Sequence, residues 1–190
     1  MFQLRYHTSE DWTQTVIEHF DDFLIDHAAA EKKASGMAIS MLSHYPDKPE
    51  LVKAMIDLSI EEMTHFREVV KIMTNRGLML APDTKDAYVL QLRKLMRKGS
   101  LEYFLDRLVI AGVIEARGCE RFGLVAEALP EGELKRFYIA ITESESRHEN
   151  LFIDLAIRYF PEQTVNSRLD EILDHEAQIC SSLPIVAALH

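Results

Sequence analysis

The sequence predicts an all-α fold: a four-helix bundle with a long crossover carrying a short helix, and an additional C-terminal helix. Three observations predict it. Apolar residues recur at heptad spacing along four long stretches, period-two alternation is absent, and strong helix formers outnumber the 7 glycines and 6 prolines that would break them. At 190 residues the chain has the size of one domain with a core of its own, and residues 1–190 read as a single domain.

Each element has a local cause. Residues before Thr8 read as a tail, and Thr8 or Ser9 can cap a first helix that runs from about Glu10 toward Tyr45, bent near Asp21 and Asp22. Pro46 ends it. Pro49 fits the first turn of the second helix, where its missing N–H costs nothing, and Gly77 stops that helix after about Asn75. From Gly77 to Gly99 the pattern changes: Ala81-Pro82-Asp83-Thr84 is a turn, and Ala87 to Lys98 a short amphipathic helix. The third long helix begins near Ser100 and ends near Pro130, where Pro130-Glu131-Gly132 turns the chain into a fourth that runs to about Phe160. Beyond Pro161, Val165, Leu169, Ile172, Leu173 and Ile179 recur on a helical period and predict the last helix, packed on the outside.

Composition narrows the function classes. A formal net charge of -10 opposes general binding of polyanions, so a nucleic-acid partner would need a local basic patch. The dense positive run is Arg93-Lys94-Leu95-Met96-Arg97-Lys98, on the crossover helix. Met1 to Trp12 lacks the apolar centre of a signal peptide, and no apolar run approaches the ~18 residues of a membrane span, so a cytoplasmic protein is expected. Cys119 and Cys180 stand in no CxxC pair and read as reduced thiols.

The chemistry sits in the middle of the four stripes, where each carries a carboxylate: Glu31, Glu62, Glu115 and Glu145. Histidines follow the second and fourth of these by three residues, at His65 and His148. No lysine or arginine occupies any stripe, and an uncompensated buried carboxylate costs several kcal/mol. Hairpin arithmetic puts the groups level. At about 1.5 Å of rise per residue, Glu31 lies about 24 Å before the turn near Asp47, and Glu62 and His65 lie a nearly equal climb beyond it. Glu115, Glu145 and His148 stand in the same relation to Glu131, and the second set follows the first by 83 or 84 positions, as a repeated hairpin would. One Glu from each of two helices and a Glu-x-x-His from each of the others is the ligand set of ferritin-like di-iron and di-manganese bundles. Oxygen and imidazole donors without thiolate suit iron or manganese, with iron the first choice. A metal-free ionic network lacks the cations to balance four carboxylates. His27, one turn from Glu31, reads as a hydrogen-bonded core histidine or as a contact to that ligand; Cys119, Tyr138 and Tyr159 read as core residues; and Gly112 as a site of close helix packing or as space for oxygen or substrate beside the metals.

These residues lie in segments that resemble the tRNA-(2-methylthio-N(6)-isopentenyladenosine) hydroxylase family, MiaE. The resemblance is carried by Asp26-His27-Ala28-Ala29-Ala30-Glu31-Lys32-Lys33-Ala34, Ser43-His44-Tyr45-Pro46-Asp47, Glu61-Glu62-Met63-Thr64-His65-Phe66-Arg67 and Glu143-Ser144-Glu145-Ser146-Arg147-His148-Glu149. The segments 76–83 and 114–120 add to it. The resemblance implies a non-haem di-iron monooxygenase with Glu31, Glu62, His65, Glu115, Glu145 and His148 as iron ligands. It implies O2 as co-substrate, two electrons from an external reductase, and the anticodon loop of a prenylated tRNA as partner. Phosphate contacts would then fall on Arg93, Lys94, Arg97 and Lys98. Other activities that share such ligands are iron storage with ferroxidase activity, manganese catalase, and oxygenases of small substrates.

Overall fold

Seven α-helices, and no strand among the described residues, make up the structure, a computed structural model that describes residues 2–190. They are α1 (Glu10–Glu18), α2 (Phe20–His44), α3 (Pro49–Asn75), α4 (Ala87–Lys94), α5 (Ser100–Ala128), α6 (Glu133–Tyr159) and α7 (Glu162–Ser182). The first predicted helix is two helices, broken at His19, whose backbone leaves the helical region (φ -118, ψ 44). The break puts Asp21 and Asp22 in the first turn of α2, where negative charge complements the helix dipole. Ser9 stands at the start of α1 as predicted, its hydroxyl 3.4 Å from the Trp12 amide.

The chain divides into two compact units. One comprises residues 15–84 and 186–189, built on the antiparallel pair α2 and α3. Phe23, Leu24, Ala38 and Met41 from α2 and Leu51, Met55, Leu58 and Val69 from α3 are buried. Ser35 Oγ donates to the Ser59 carbonyl at 2.9 Å, which fixes the register of the pair at mid-length. Pro49 lies in the first turn of α3. At its other end Gly77 adopts φ 75, which lets Leu78 N–H reach the Met73 carbonyl and Gly77 N–H the Thr74 carbonyl.

The other unit comprises residues up to Gln14, residues 85–185, and His190. Here α5 and α6 form the second hairpin, α7 lies against both, and α4 packs on α7 and α5. Phe104, Leu108, Phe122, Tyr138, Ile141 and Phe152 fill the core of this unit. A Cβ at Gly112 would meet Ile153 Cδ1 at 3.2 Å and the Glu149 carbonyl oxygen at 3.3 Å, so the glycine sets how closely α5 approaches α6.

Two boundaries differ from the sequence expectation. α4 ends at Lys94 and not Lys98, because side chains capture the backbone that follows: Asp106 accepts from Arg97 N–H at 2.8 Å, and Arg168 Nη2 donates to the Leu95 carbonyl at 2.7 Å. The N-terminal segment is not a loose tail. Thr8 N–H and Oγ1–H donate to Glu120 at 3.0 and 2.8 Å, the Tyr6 carbonyl accepts from Arg117 at 2.9 Å, and Arg5 pairs with Asp170 and Asp174. Arg117 is fully buried and needs acceptors on every side of its guanidinium, which this segment helps to supply.

Candidate metal centre

Three of the predicted ligands meet in the first hairpin. α2 presents Glu31 and α3 presents Glu62 and His65, neighbours at i and i+3 on one face. One ligand atom from each lies within 4.8 Å of the others. His65 Nδ1 stands 3.3 Å from Glu62 Oε2 and 3.6 Å from Glu31 Oε2. Glu31 and Glu62 are buried, while His65 is only partly covered.

The second hairpin repeats the pattern. α5 presents Glu115, α6 presents Glu145 and His148, and again one ligand atom from each lies within 4.8 Å of the others. His148 Nδ1 stands 3.0 Å from Glu145 Oε2, and all three residues are buried. The apolar flanks explain why these side chains point inward. Leu58 precedes Glu62 by one turn, Ile141 precedes Glu145 by one turn, and Phe152 follows His148 by one turn, each of them buried.

The donor set fits a divalent cation. Two ligand atoms each about 2.1 Å from one ion, at about 90–110° to one another, lie roughly 3.0–3.4 Å apart, which spans the two Glu-x-x-His separations. Oε1 of Glu62, Oε1 of Glu145 and Nε2 of His148 are buried atoms without a hydrogen bond, although each of these residues bonds through another atom. Each triad offers two carboxylates and one imidazole, so one divalent ion per triad would balance its charge.

A buried cation from the protein exists, and it is spent elsewhere. Arg117 of α5 donates from Nε and Nη2 to Glu176 of α7 at 2.8 and 3.0 Å, and pairs with Glu120. Burial opposes its charge, but the bonds to Glu176 outweigh that and hold its pKa above the ordinary arginine value. Tyr88 OH and Cys180 Sγ also donate to Glu176, at 3.1 and 3.0 Å. A second buried node joins Asp106 to Arg97 and Arg168. Neither node figures in the sequence expectations, yet Glu176 was marked by the same signal as the four ligands, a carboxylate on the apolar stripe of its helix.

The remaining singled-out residues have structural surroundings. His27 Nε2 contacts Glu31 Oε1 at 2.6 Å with its ring fully buried. Cys119 donates to the Thr142 carbonyl, and burial, reinforced by Glu149, Glu145 and Glu115, pushes its thiol pKa up to about 12. Tyr138 is fully buried, and Tyr159 packs its ring against Phe104. In the basic run Arg93, Lys94, Arg97 and Lys98 are all exposed, and Arg97 is in addition drawn to Asp106 through both its backbone and its side chain.

Comparison with known proteins gives the fold and the family. A solved structure titled "Protein 43 with aldehyde deformylating oxygenase activity from Synechococcus" superimposes with a TM-score of 0.94 at 33% identity, covering 100% of this chain and 96% of the other. The all-α, ferritin-like bundle predicted from the sequence is therefore the fold of this chain. A Pseudomonas putida protein named tRNA 2-(methylsulfanyl)-N(6)-isopentenyladenosine(37) hydroxylase is 33% identical over 175 residues, 92% of this chain and 85% of that protein. A Salmonella typhimurium protein of the same name is 30% identical over 84% of this chain and 62% of its own length. The family profile described as tRNA-(MS[2]IO[6]A)-hydroxylase (MiaE) matches residues 2–190, and the chain belongs to that family.

Proposed function

We propose that this protein hydroxylates the isopentenyl side chain of 2-methylthio-N(6)-isopentenyladenosine beside the anticodon of tRNA, using O2 and a pair of iron ions. One observation carries the reading: a chain of this family holds two Glu/Glu/His triads, each at the centre of its own helical hairpin with its two carboxylates buried. The two triads are the ligands of the two irons: Glu31, Glu62 and His65 hold one ion, and Glu115, Glu145 and His148 the other.

Bound iron supplies the oxidising power to exchange an unactivated C–H bond for C–OH with O2 and two electrons, chemistry for which no side chain of the protein is competent. The protein supplies geometry and dryness. The four carboxylates balance the ionic charge, the two imidazoles fix donor directions, and the leucine, isoleucine and phenylalanine turns that flank them keep bulk water out. Electrons come from a separate reductase in the cytoplasm. The anticodon loop stays at the surface with its bases splayed, and Arg93, Lys94 and Lys98 meet its phosphates. Arg97, held by Asp106, contributes less to this contact.

Iron-loaded protein given a chemical reductant, O2 and prenylated tRNA should release hydroxylated nucleoside on digestion, read by mass spectrometry. Iron-replete protein that yields none would overturn the reading. A second reading rests on the Synechococcus likeness, whose title names aldehyde deformylating oxygenase activity. Turnover of an aldehyde in the same assay, with no hydroxylated nucleoside, would favour that alternative.

A further inference from the structure

Glu31 is not free to choose which oxygen it offers. His27 lies one turn before it on α2, with Nε2 2.6 Å from Glu31 Oε1. An ionised carboxylate only accepts, so Nε2 carries the proton and donates. His27 is fully buried and Glu31 is 3% exposed, so water does not compete for this bond. The imidazole is itself seated against Phe23, with ring centroids 6.0 Å apart, one turn further back. With Oε1 taken, Oε2 is the oxygen that faces His65 Nδ1, at 3.6 Å.

The second hairpin is built differently at the matching positions. One turn before Glu115 stands Ala111, whose methyl group donates nothing, and one turn after it Cys119 directs its Sγ to the Thr142 carbonyl. The approximate repeat of the ligands therefore does not extend to these two flanking positions.

We infer that His27 is a positioning residue: by holding Oε1 of Glu31 it makes Glu31 a one-oxygen ligand through Oε2 and gives the first hairpin's metal position a character distinct from the second's. The inference rests on the reading that each hairpin holds an ion. Without His27, Glu31 can rotate about its terminal torsion or offer both oxygens, and the ordered donor set of the first hairpin is lost. Groups that orient metal ligands in this way typically account for about 10–100-fold in affinity.

The test is a titration of the metal-free full-length protein with Co(II), followed by calorimetry and by the visible absorption of the bound ion. Wild-type protein should bind two ions per chain. His27→Leu, which keeps the volume and removes the donor, should bind one ion with wild-type affinity and the other about 10–100-fold more weakly. His27→Gln, which retains an N–H donor, should recover most of the loss. His27→Ala serves the same comparison should the leucine variant not fold. Two binding steps unchanged in the donor-less variant, or both weakened equally, would overturn the role of His27. Wild-type protein that binds no metal would instead overturn the dinuclear reading itself, so the two failures are distinct.

Discussion

A carboxylate among leucines must meet a positive charge, and in this protein residues meet that demand in different ways. Glu176 has Arg117, a guanidinium with bonds to spare for Glu120, Thr8 and the Tyr6 carbonyl. The two triads have imidazoles beside them, and two histidinium charges cannot balance four carboxylates. The physical case for metal therefore turns on single residues. Glu115→Ala or His148→Ala should lower metal content and abolish turnover, measured by elemental analysis and nucleoside mass spectrometry; full iron content with normal activity in either variant would contradict the assignment. Gly112 makes a different demand. Alanine there gains about 1 kcal/mol of helix propensity, but its methyl would press on Ile153 Cδ1 at 3.2 Å, which can move, and on the Glu149 carbonyl oxygen at 3.3 Å, which cannot. Overpacking typically costs about 1–3 kcal/mol, so Gly112→Ala should destabilise by about 1 kcal/mol in urea titration.

At the scale of elements, Asp106 does more than any other single group to define a boundary. Its carboxylate takes the Arg97 amide and guanidinium and the Arg168 guanidinium, so it ties the end of the crossover and α7 to the first turns of α5. Burial alone would raise its pKa, but the hydrogen bonds from Arg97 and Arg168 outweigh burial and hold it below the ordinary aspartate value. A carboxyl group whose folded pKa is depressed binds fewer protons folded than unfolded between the two values. Its contribution is therefore complete above the unfolded value, near pH 4, and is lost as pH falls through the folded one. Asp106→Asn should cost about 3 kcal/mol at neutral pH, because the buried Arg168 guanidinium is left with Glu171 alone and the exposed Arg97 loses its partner, and should flatten the acid limb of stability measured by urea titration against pH. The same node shows which parts of the fold were legible in the sequence. Ends written in local chemistry were readable: Pro49 at the start of α3, Gly77 after Asn75, and Pro130 after α5. The early end of α4 was not, since its causes, Asp106 and Arg168, lie 9 and 73 positions from the backbone that they hold. The candidate ligands were legible because helical period and hairpin symmetry both mark them. Arg117 and Glu176 were not paired in advance, being 59 positions apart with no period connecting them, and without that pair the N-terminal segment reads as a tail.

For the whole molecule, charge sets the terms on which a tRNA can bind. A chain of net charge -10 repels a polyanion at long range, and some of that charge is internal if the six ligands face two divalent ions. Productive encounter must then go through a local patch, and the exposed run of Arg93, Lys94 and Lys98 has the right sign and accessibility. Arg97 has to be set apart from it, because removing its charge would also break the Asp106 node and confuse binding with stability. The clean variant replaces Arg93, Lys94 and Lys98 with glutamine and leaves Arg97 in place. Each phosphate contact with single-stranded nucleic acid contributes about 0.7 to the slope of log affinity against log salt, so loss of three contacts should flatten that slope by about 2. Affinity should fall most at low salt, where the released counterions matter most, while metal content and urea stability stay at wild-type values. An unchanged salt slope in filter binding or fluorescence anisotropy would remove this patch from the interface and direct attention to other exposed basic residues.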